Sequence, residues 1–200
     1  MAKESYDYVI SLGYNCEIAN ALLLCNARDA SYPFDWTFTN MFSITSMFQD
    51  RFANFFIRDQ LAKARYTDNP AMQYKGGIIY VHDGKYDYLM KDDGFYKSQK
   101  EKYDRRTTRL MQLLDTGKRI LFVRYAYNDT HQEHINFIRM LENVYPKSVF
   151  KLMIVNMICD QNGEDKIKYI TNTALSRYDI GTIIRTNYNI PVHHSIKKEY

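Results

Sequence analysis

The chain has 200 residues, 27 basic and 23 acidic, with a net charge of +4 and an aromatic content of 15%, including eighteen Tyr and eleven Phe against one Trp. That length suits one ordinary domain able to bury a sizeable core, and the composition excludes a disordered chain. The charges are interspersed, not gathered into the basic stripe of a nucleic-acid binder. The amino terminus lacks a signal peptide's apolar core, and no apolar run nears the ~20 residues of a membrane span, so a cytoplasmic protein is expected, with no nucleic-acid partner and no membrane span. Cys16, Cys25 and Cys159 cannot all pair and lack the close spacing of a zinc site; a reducing compartment fits, and no cofactor is expected.

Tyr8, Val9 and Ile10 form a β-favouring run, Gly13 is a turn residue, and Ile18 to Cys25 is apolar over a helical length. The chain therefore opens as strand, tight turn and helix. Asn15 is a natural N-cap and puts Cys16 at the first helical position, where unpaired N–H groups and the helix dipole favour an anion. A thiol there ionises more easily, and the thiolate is the nucleophilic form. The alternative is a small core cysteine at a strand–helix junction.

Tyr32 precedes Pro33 and is biased towards extended backbone, so a short strand over Ser31 to Trp36 is expected to run into a loop carrying Asp35 and Trp36. Met41, Ile44, Phe48, Phe52 and Phe55 recur at helical intervals over Met41 to Phe56, an amphipathic helix with a core-facing aromatic stripe. Arg58 to Lys75 is mixed, with a break around Asp68-Asn69-Pro70. Gly76-Gly77 introduces Ile78 to Val81, a buried strand that delivers His82 and Asp83 at its carboxyl end. Gly84 to Gly94 is expected as a loop. Ser98 to Leu114 is expected as a helix, stopped by Thr116-Gly117, with a basic outer face from Lys97, Lys100, Lys102, Arg105, Arg106 and Arg109.

The clearest unit follows: a strand over Ile120 to Val123, caps at Asn128-Asp129-Thr130, a helix over His131 to Tyr145 stopped by Pro146, and an apolar strand over Phe150 to Ile158. Such a unit implies a parallel sheet covered on both sides. Asp160 to Asp165 reads as a polar loop, Lys166 to Ser176 as weakly helical, and Ile180 to Ile184 as a last strand. With no repeat or linker, the expected fold class is α/β: a single domain over residues 1–200, a mostly parallel sheet with helices on both faces.

Ligands of an open parallel sheet sit beyond the carboxyl ends of its strands. That edge is expected to gather Cys16, His82, Asp35 and Asp83 as catalytic candidates and Gly13, Asn15, Trp36, Arg106 and Arg124 as substrate contacts. Cys16 with His82 suffices for a thiolate–imidazole pair, with backbone N–H groups near Cys16 receiving an oxyanion. Asp35 is the better orienting acid, because neighbours on a strand, such as His82 and Asp83, point to opposite faces. A strand-end histidine held by backbone is the alternative for His82.

His131 and His134 are three apart, not the four of HExxH, and are expected in solvent; His193-His194 lies in a polar tail. Arg105, Arg106 and Arg124 could together hold a phosphate or carboxylate. The absence of GxGxxG, Walker and GxSxG motifs weakens dinucleotide, ATPase and serine-hydrolase readings, but leaves a metal-independent glycosyltransferase open.

The series Ile10-Ser11-Leu12-Gly13-Tyr14-Asn15-Cys16, Ser31-Tyr32-Pro33-Phe34-Asp35-Trp36, Val81-His82-Asp83, Tyr103-Asp104-Arg105-Arg106 and Leu121-Phe122-Val123-Arg124-Tyr125 resembles a family of unknown function described as "putative papain-like cysteine peptidases". The likeness runs in order over roughly Tyr6 to Val155. Members of that family occur in bacteria and in large DNA viruses. The resemblance implies Cys16 as nucleophile and His82 as base, with Asp35, Asp83, Arg106 and Arg124 in the other motif blocks. In papain-like enzymes the nucleophile opens a long helix and the histidine lies on an antiparallel sheet; the strand expected before Cys16 and the parallel second half depart from that topology.

The leading expectation is a cysteine-dependent hydrolase, peptidase or acyl-transfer enzyme acting on a peptide, glycan or small molecule. The second is a glycosyltransferase using a sugar nucleotide, with Asp35, His82 or Asp83 as base and Arg106 and Arg124 on phosphate. The third is a binding module using the same rim.

Overall fold

The computed structural model describes residues 3–64, 70–73, 77–157, 165–171 and 175–193. Four strands, β2 (Tyr8–Ser11), β6 (Arg119–Tyr125), β7 (Val149–Val155) and β8 (Ile167–Ile170), form a parallel sheet in the order β2-β6-β7-β8. Their side chains alternate between two buried faces, as the near-continuous apolar runs require. Ile10, Ile120, Phe122, Leu152 and Ile154 pack on one face against helices α2 (Met41–Gln49), α4 (Asp93–Asp115) and α5 (His131–Val144). Val9, Leu121, Val123, Met153 and Val155 pack on the other against α1 (Glu17–Leu24) and α6 (Arg177–Asn187). The α/β fold with helices on both faces is thus as expected.

Between α2 and α4 the chain builds a second sheet, antiparallel, from β3 (Leu61–Lys63), β4 (Pro70–Gln73) and β5 (Ile78–Lys85), followed by the short helix α3 (Tyr86–Lys91). A two-stranded parallel ribbon, β1 (Glu4–Ser5) with β9 (Tyr188–Asn189), ties the two ends together.

The local expectations that differ have identifiable causes. The strand carrying His82 belongs to the antiparallel sheet, not to the parallel one. Ser31 and Tyr32 are irregular and Pro33 to Trp36 form turns, and a β-bridge comes only further on, Phe38 to Ile79. The helix expected to reach Phe56 ends at Gln49, where Asp50 caps it and Arg51 and Phe52 turn left-handed, at φ 54° and 62°. The loop expected over Gly84 to Gly94 contains α3 and the start of α4, whose N-cap Asp92 accepts the Phe95 N–H. The last two elements are exchanged: β8 lies where a weak helix was expected, and α6 where a strand was. The expected break at Asp68-Asn69, most of the loop over Asp160 to Asp165, Cys159 and His194 lie outside the described residues. Among those residues no helix is long and apolar enough to cross a membrane.

Candidate active site

The turn after β2 is built for close approach. Gly13 and Tyr14 both adopt left-handed backbone, φ 74° and 71°. A Cβ on Gly13 would stand 2.7 Å from the Phe34 carbonyl oxygen and 3.0 Å from Thr39 Oγ1, so only glycine fits. Thr39 Oγ1 donates to Leu12 O (3.1 Å) and accepts from Tyr14 N–H (3.1 Å), pinning both sides of the turn. Cys16 then flanks the start of α1 with right-handed backbone; its own side chain caps nothing, and Asn15 Oδ1 takes the Glu17 N–H at 2.9 Å. Asn15 thus satisfies the first helical N–H, but the N-cap position falls to Cys16, one residue ahead of the first helical position expected for it, and the Cys16 thiol is half-buried and unbridged.

His82 reaches the same region from β5. Ala71 pairs with Tyr80 and the preceding Pro70 with Lys85, so Val81 to Gly84 bulge out of the β4–β5 ladder. A bulge re-aims side chains and often lies beside a functional site. Here it leaves His82 exposed while Asp83 is buried. Lys102 and the Tyr103 hydroxyl, both from α4, donate to the Asp83 carboxylate and anchor the bulge. Burial, and then the Asp83 charge, pushes the Tyr103 phenol well above its usual pKa, so it stays protonated and a donor. The Trp36 ring meets the His82 ring edge-on at 6.3 Å, and the Arg28 guanidinium lies over Trp36 at 5.2 Å.

Cys16, Asn20, Trp36, His82, Asp83 and Arg106 line one cavity of about 270 Å³. Five of these six are expected site residues, drawn from four separate stretches of chain. Asn20 was not singled out, although it stands one helical turn beyond Cys16 and so shares its face.

The other expected residues lie elsewhere. Gly13 and Asn15 shape the turn and are not part of the lining. Asp35 is not in the lining either: it is 1% exposed, and its carboxylate takes Arg28 Nη2 at 2.6 Å and the Tyr32 N–H at 2.7 Å, not the His82 ring it was expected to orient. Burial pushes its carboxyl pKa up, while Arg28 pulls it back.

Arg124 is fully buried, and its five N–H donors are all taken, by Asp129 Oδ1 and Oδ2, Leu12 O, Thr39 O and Thr39 Oγ1 at 2.6–3.2 Å. It has no donor left for a substrate phosphate; it braces the Cys16 turn. Arg105 is exposed, Arg106 is buried in the cavity wall and Arg124 is outside the lining, so the three arginines expected to act together do not share one site.

His134 is buried, not solvated, with Nδ1 3.2 Å from the Tyr169 hydroxyl and Nε2 3.5 Å from Asp129 Oδ2. His131 Nδ1 lies 2.6 Å from the same hydroxyl. No group of three or more His, Cys, Asp or Glu is arranged to hold a metal among the described residues.

Residues 7–162 match the family described as "Putative papain-like cysteine peptidase" (DUF1796). The chain belongs to this family. It is also 29% identical over 196 residues to the uncharacterized protein R408 of Acanthamoeba polyphaga mimivirus, covering 89% of this chain and 88% of that one. No solved structure matches. The family match includes every residue of the cavity and stops before β8, α6 and β9. In this family member the histidine stands on an antiparallel sheet, contrary to the parallel rim expected for it, while the cysteine follows a parallel strand.

Proposed function

We propose that the chain is a cysteine-nucleophile acyl-transfer enzyme of the hydrolase type, with the 270 Å³ cavity as its active site. The observation that carries this reading is that Cys16 and His82, delivered by two different sheets, line the same cavity. His82 takes the thiol proton, and the Cys16 sulfur attacks a substrate carbonyl carbon while the C=O π pair moves onto oxygen. That oxyanion collapses, the leaving group departs with the proton from His82, and an acyl-thioester remains. Water, deprotonated by His82, then attacks the thioester and frees the thiolate. Arg106, buried in the wall, supplies a fixed cation for a substrate oxygen, and Asp83, held by Lys102 and Tyr103, fixes the bulge that carries His82. The cavity is small for a ligand site, which suits one side chain and its acyl group more than a long stretch of substrate. The family's description points to a peptide as that substrate.

Intact-protein mass spectrometry after exposure to peptidyl and simple aryl thioesters tests the reading. An acyl adduct should form, map to Cys16 and be absent from Cys16→Ala. In His82→Ala it should form at least about 10²-fold more slowly. Adducts confined to Cys25, or an undiminished rate in His82→Ala, would remove the mechanism.

A further inference from the structure

Helices α1 and α6 lie side by side and parallel on one face of the sheet: Arg177 meets Glu17, Gly181 meets Ala21 and Cys25, and Arg185 meets Cys25 and Asn26. Along that seam runs a groove of about 410 Å³, larger than the cavity at Cys16 and of a size that small-molecule sites have. Its lining carries three cations, Lys3, Arg177 and Arg185, and no carboxylate. Lys3 Nζ donates to Arg185 O at 3.0 Å, and Arg185 donates to the backbone carbonyls of Cys25, Asn26, Ile190 and Pro191. Neither of these two cations meets an acid among the described residues. The Arg185 bonds also cover Cys25 O and Asn26 O, carbonyls at the end of α1 that would otherwise repel an anion. Arg177 is paired with Glu17 through Nε and Nη2, at 2.6 and 2.8 Å, which leaves its Nη1 donors over.

The groove adds neutral donors to this charge. Tyr178, Thr182 and Thr186 stand four residues apart on one side of α6, all three exposed and all three in the lining. Their hydroxyls make no hydrogen bond among the described residues. Together with Arg177 Nη1 and the remaining Lys3 N–H groups, these are more donors than the two oxygens of a carboxylate can use, and they suit the oxygens of a phosphate.

We infer that the groove between α1 and α6 is a binding site for a small phosphorylated molecule, attracted by Lys3, Arg177 and Arg185 and hydrogen-bonded by the Tyr178, Thr182 and Thr186 hydroxyls. Arg177 and Arg185 are eight residues apart, about 12 Å along the helix, so a ligand filling the groove meets positive charge at both ends. Lys3 and the whole of α6 lie outside the stretch that matches the family, and the site does not depend on Cys16 being a nucleophile.

Cys25 lines the groove and Cys16 does not, so the two thiols report on it separately. Iodoacetamide labelling of the full chain, mapped by mass spectrometry, is followed with rising inorganic pyrophosphate and, in parallel, with potassium chloride at matched ionic strength. Pyrophosphate should slow Cys25 at least about fivefold, with half the effect reached below about 1 mM, and leave Cys16 within about twofold of its rate; chloride should not reproduce this. The double variant Lys3→Gln/Thr182→Val removes one charge and one hydroxyl from exposed positions, away from the core, and should raise the half-effect concentration about tenfold or more. Equal slowing of Cys16 and Cys25, the same slowing by chloride, no slowing at all, or an unchanged half-effect in the double variant would each overturn the inference.

Calorimetric titration of pyrophosphate makes the same comparison without a thiol. Binding by wild type that weakens about tenfold in the double variant is expected, and a wild-type protein that takes up no pyrophosphate at about 10 mM contradicts the site.

Discussion

One hydroxyl, Thr39 Oγ1, donates to Leu12 O, accepts from the Tyr14 N–H and receives Arg124 Nη1 at 3.2 Å, so three groups around the Cys16 turn share a single side chain. Thr39→Val preserves shape and strands those partners; a loss of about 2 kcal/mol is expected, read as a lower denaturation midpoint, with slower alkylation of Cys16. Thr39→Ser should restore both, and a valine variant as stable and as reactive as wild type would show that the turn holds itself. Gly13→Ala should be costlier than an ordinary surface change, at least about 2 kcal/mol, because it adds left-handed strain to the overlap with Phe34 O. Asp129 gives a pH dependence. Burial raises its carboxyl pKa, but His134 and Arg124 outweigh burial and hold it below the usual 3.8. A depressed folded-state value contributes stability above the unfolded pKa of about 3.8, lost as pH falls through the folded value. The stability gap between wild type and Asp129→Asn, from urea midpoints between pH 6 and 2, should therefore narrow on acidification; a gap independent of pH would contradict the pairing. At this scale the sequence exposed Cys16, His82, Trp36, Asp83 and Arg106 as residue types able to do chemistry. It did not expose that Arg124 and Asp35 are used up internally, because partners such as Thr39 and Arg28 are ordinary residues in turns with no local signature.

The elements differ in how much of themselves they show in advance. The run from β6 through α5 to β7 was legible because its apolar positions repeat at 2.0 and then 3.6 residues, and because Thr130 and Glu133 form a capping box at the start of α5. α6 was read as a strand because Ile180, Ile183 and Ile184 cluster; the better signal was Ser176 three residues before Asp179, which forms a second capping box. The bulge in β5 had no signal at all, since its register is set by pairing with β4, and it is the bulge that exposes His82. Gly181 of α6 lies so close to α1 that an added Cβ would stand 2.9 Å from Cys25 Cβ and 3.3 Å from Ala21 O. Gly181→Ala should push the two helices apart at a cost of about 1–3 kcal/mol and speed alkylation of Cys25, whose thiol burial holds at a raised pKa. Melting temperature and mass-mapped labelling check both halves, and an alanine variant that melts and labels like wild type would mean the seam is slack.

Across the whole molecule, the expectation that distant stretches converge on one rim came from the rule for open parallel sheets, and the convergence is there by a different route. Cys16 follows a strand of the parallel sheet, but His82 arrives on a separate antiparallel sheet clamped to it through the Phe38–Ile79 bridge and through α4. Family membership over residues 7–162 includes both halves of that junction. The claim on which the account stands is that the imidazole activates the sulfur across the junction. It is tested most directly by the iodoacetamide alkylation rate of Cys16 at neutral pH, followed by mass spectrometry, in wild type and His82→Ala, with Cys25 as the internal reference. The account predicts that Cys16 reacts faster than Cys25 and loses about tenfold or more of its rate in His82→Ala while the Cys25 rate holds; equal Cys16 rates in the two proteins would contradict it.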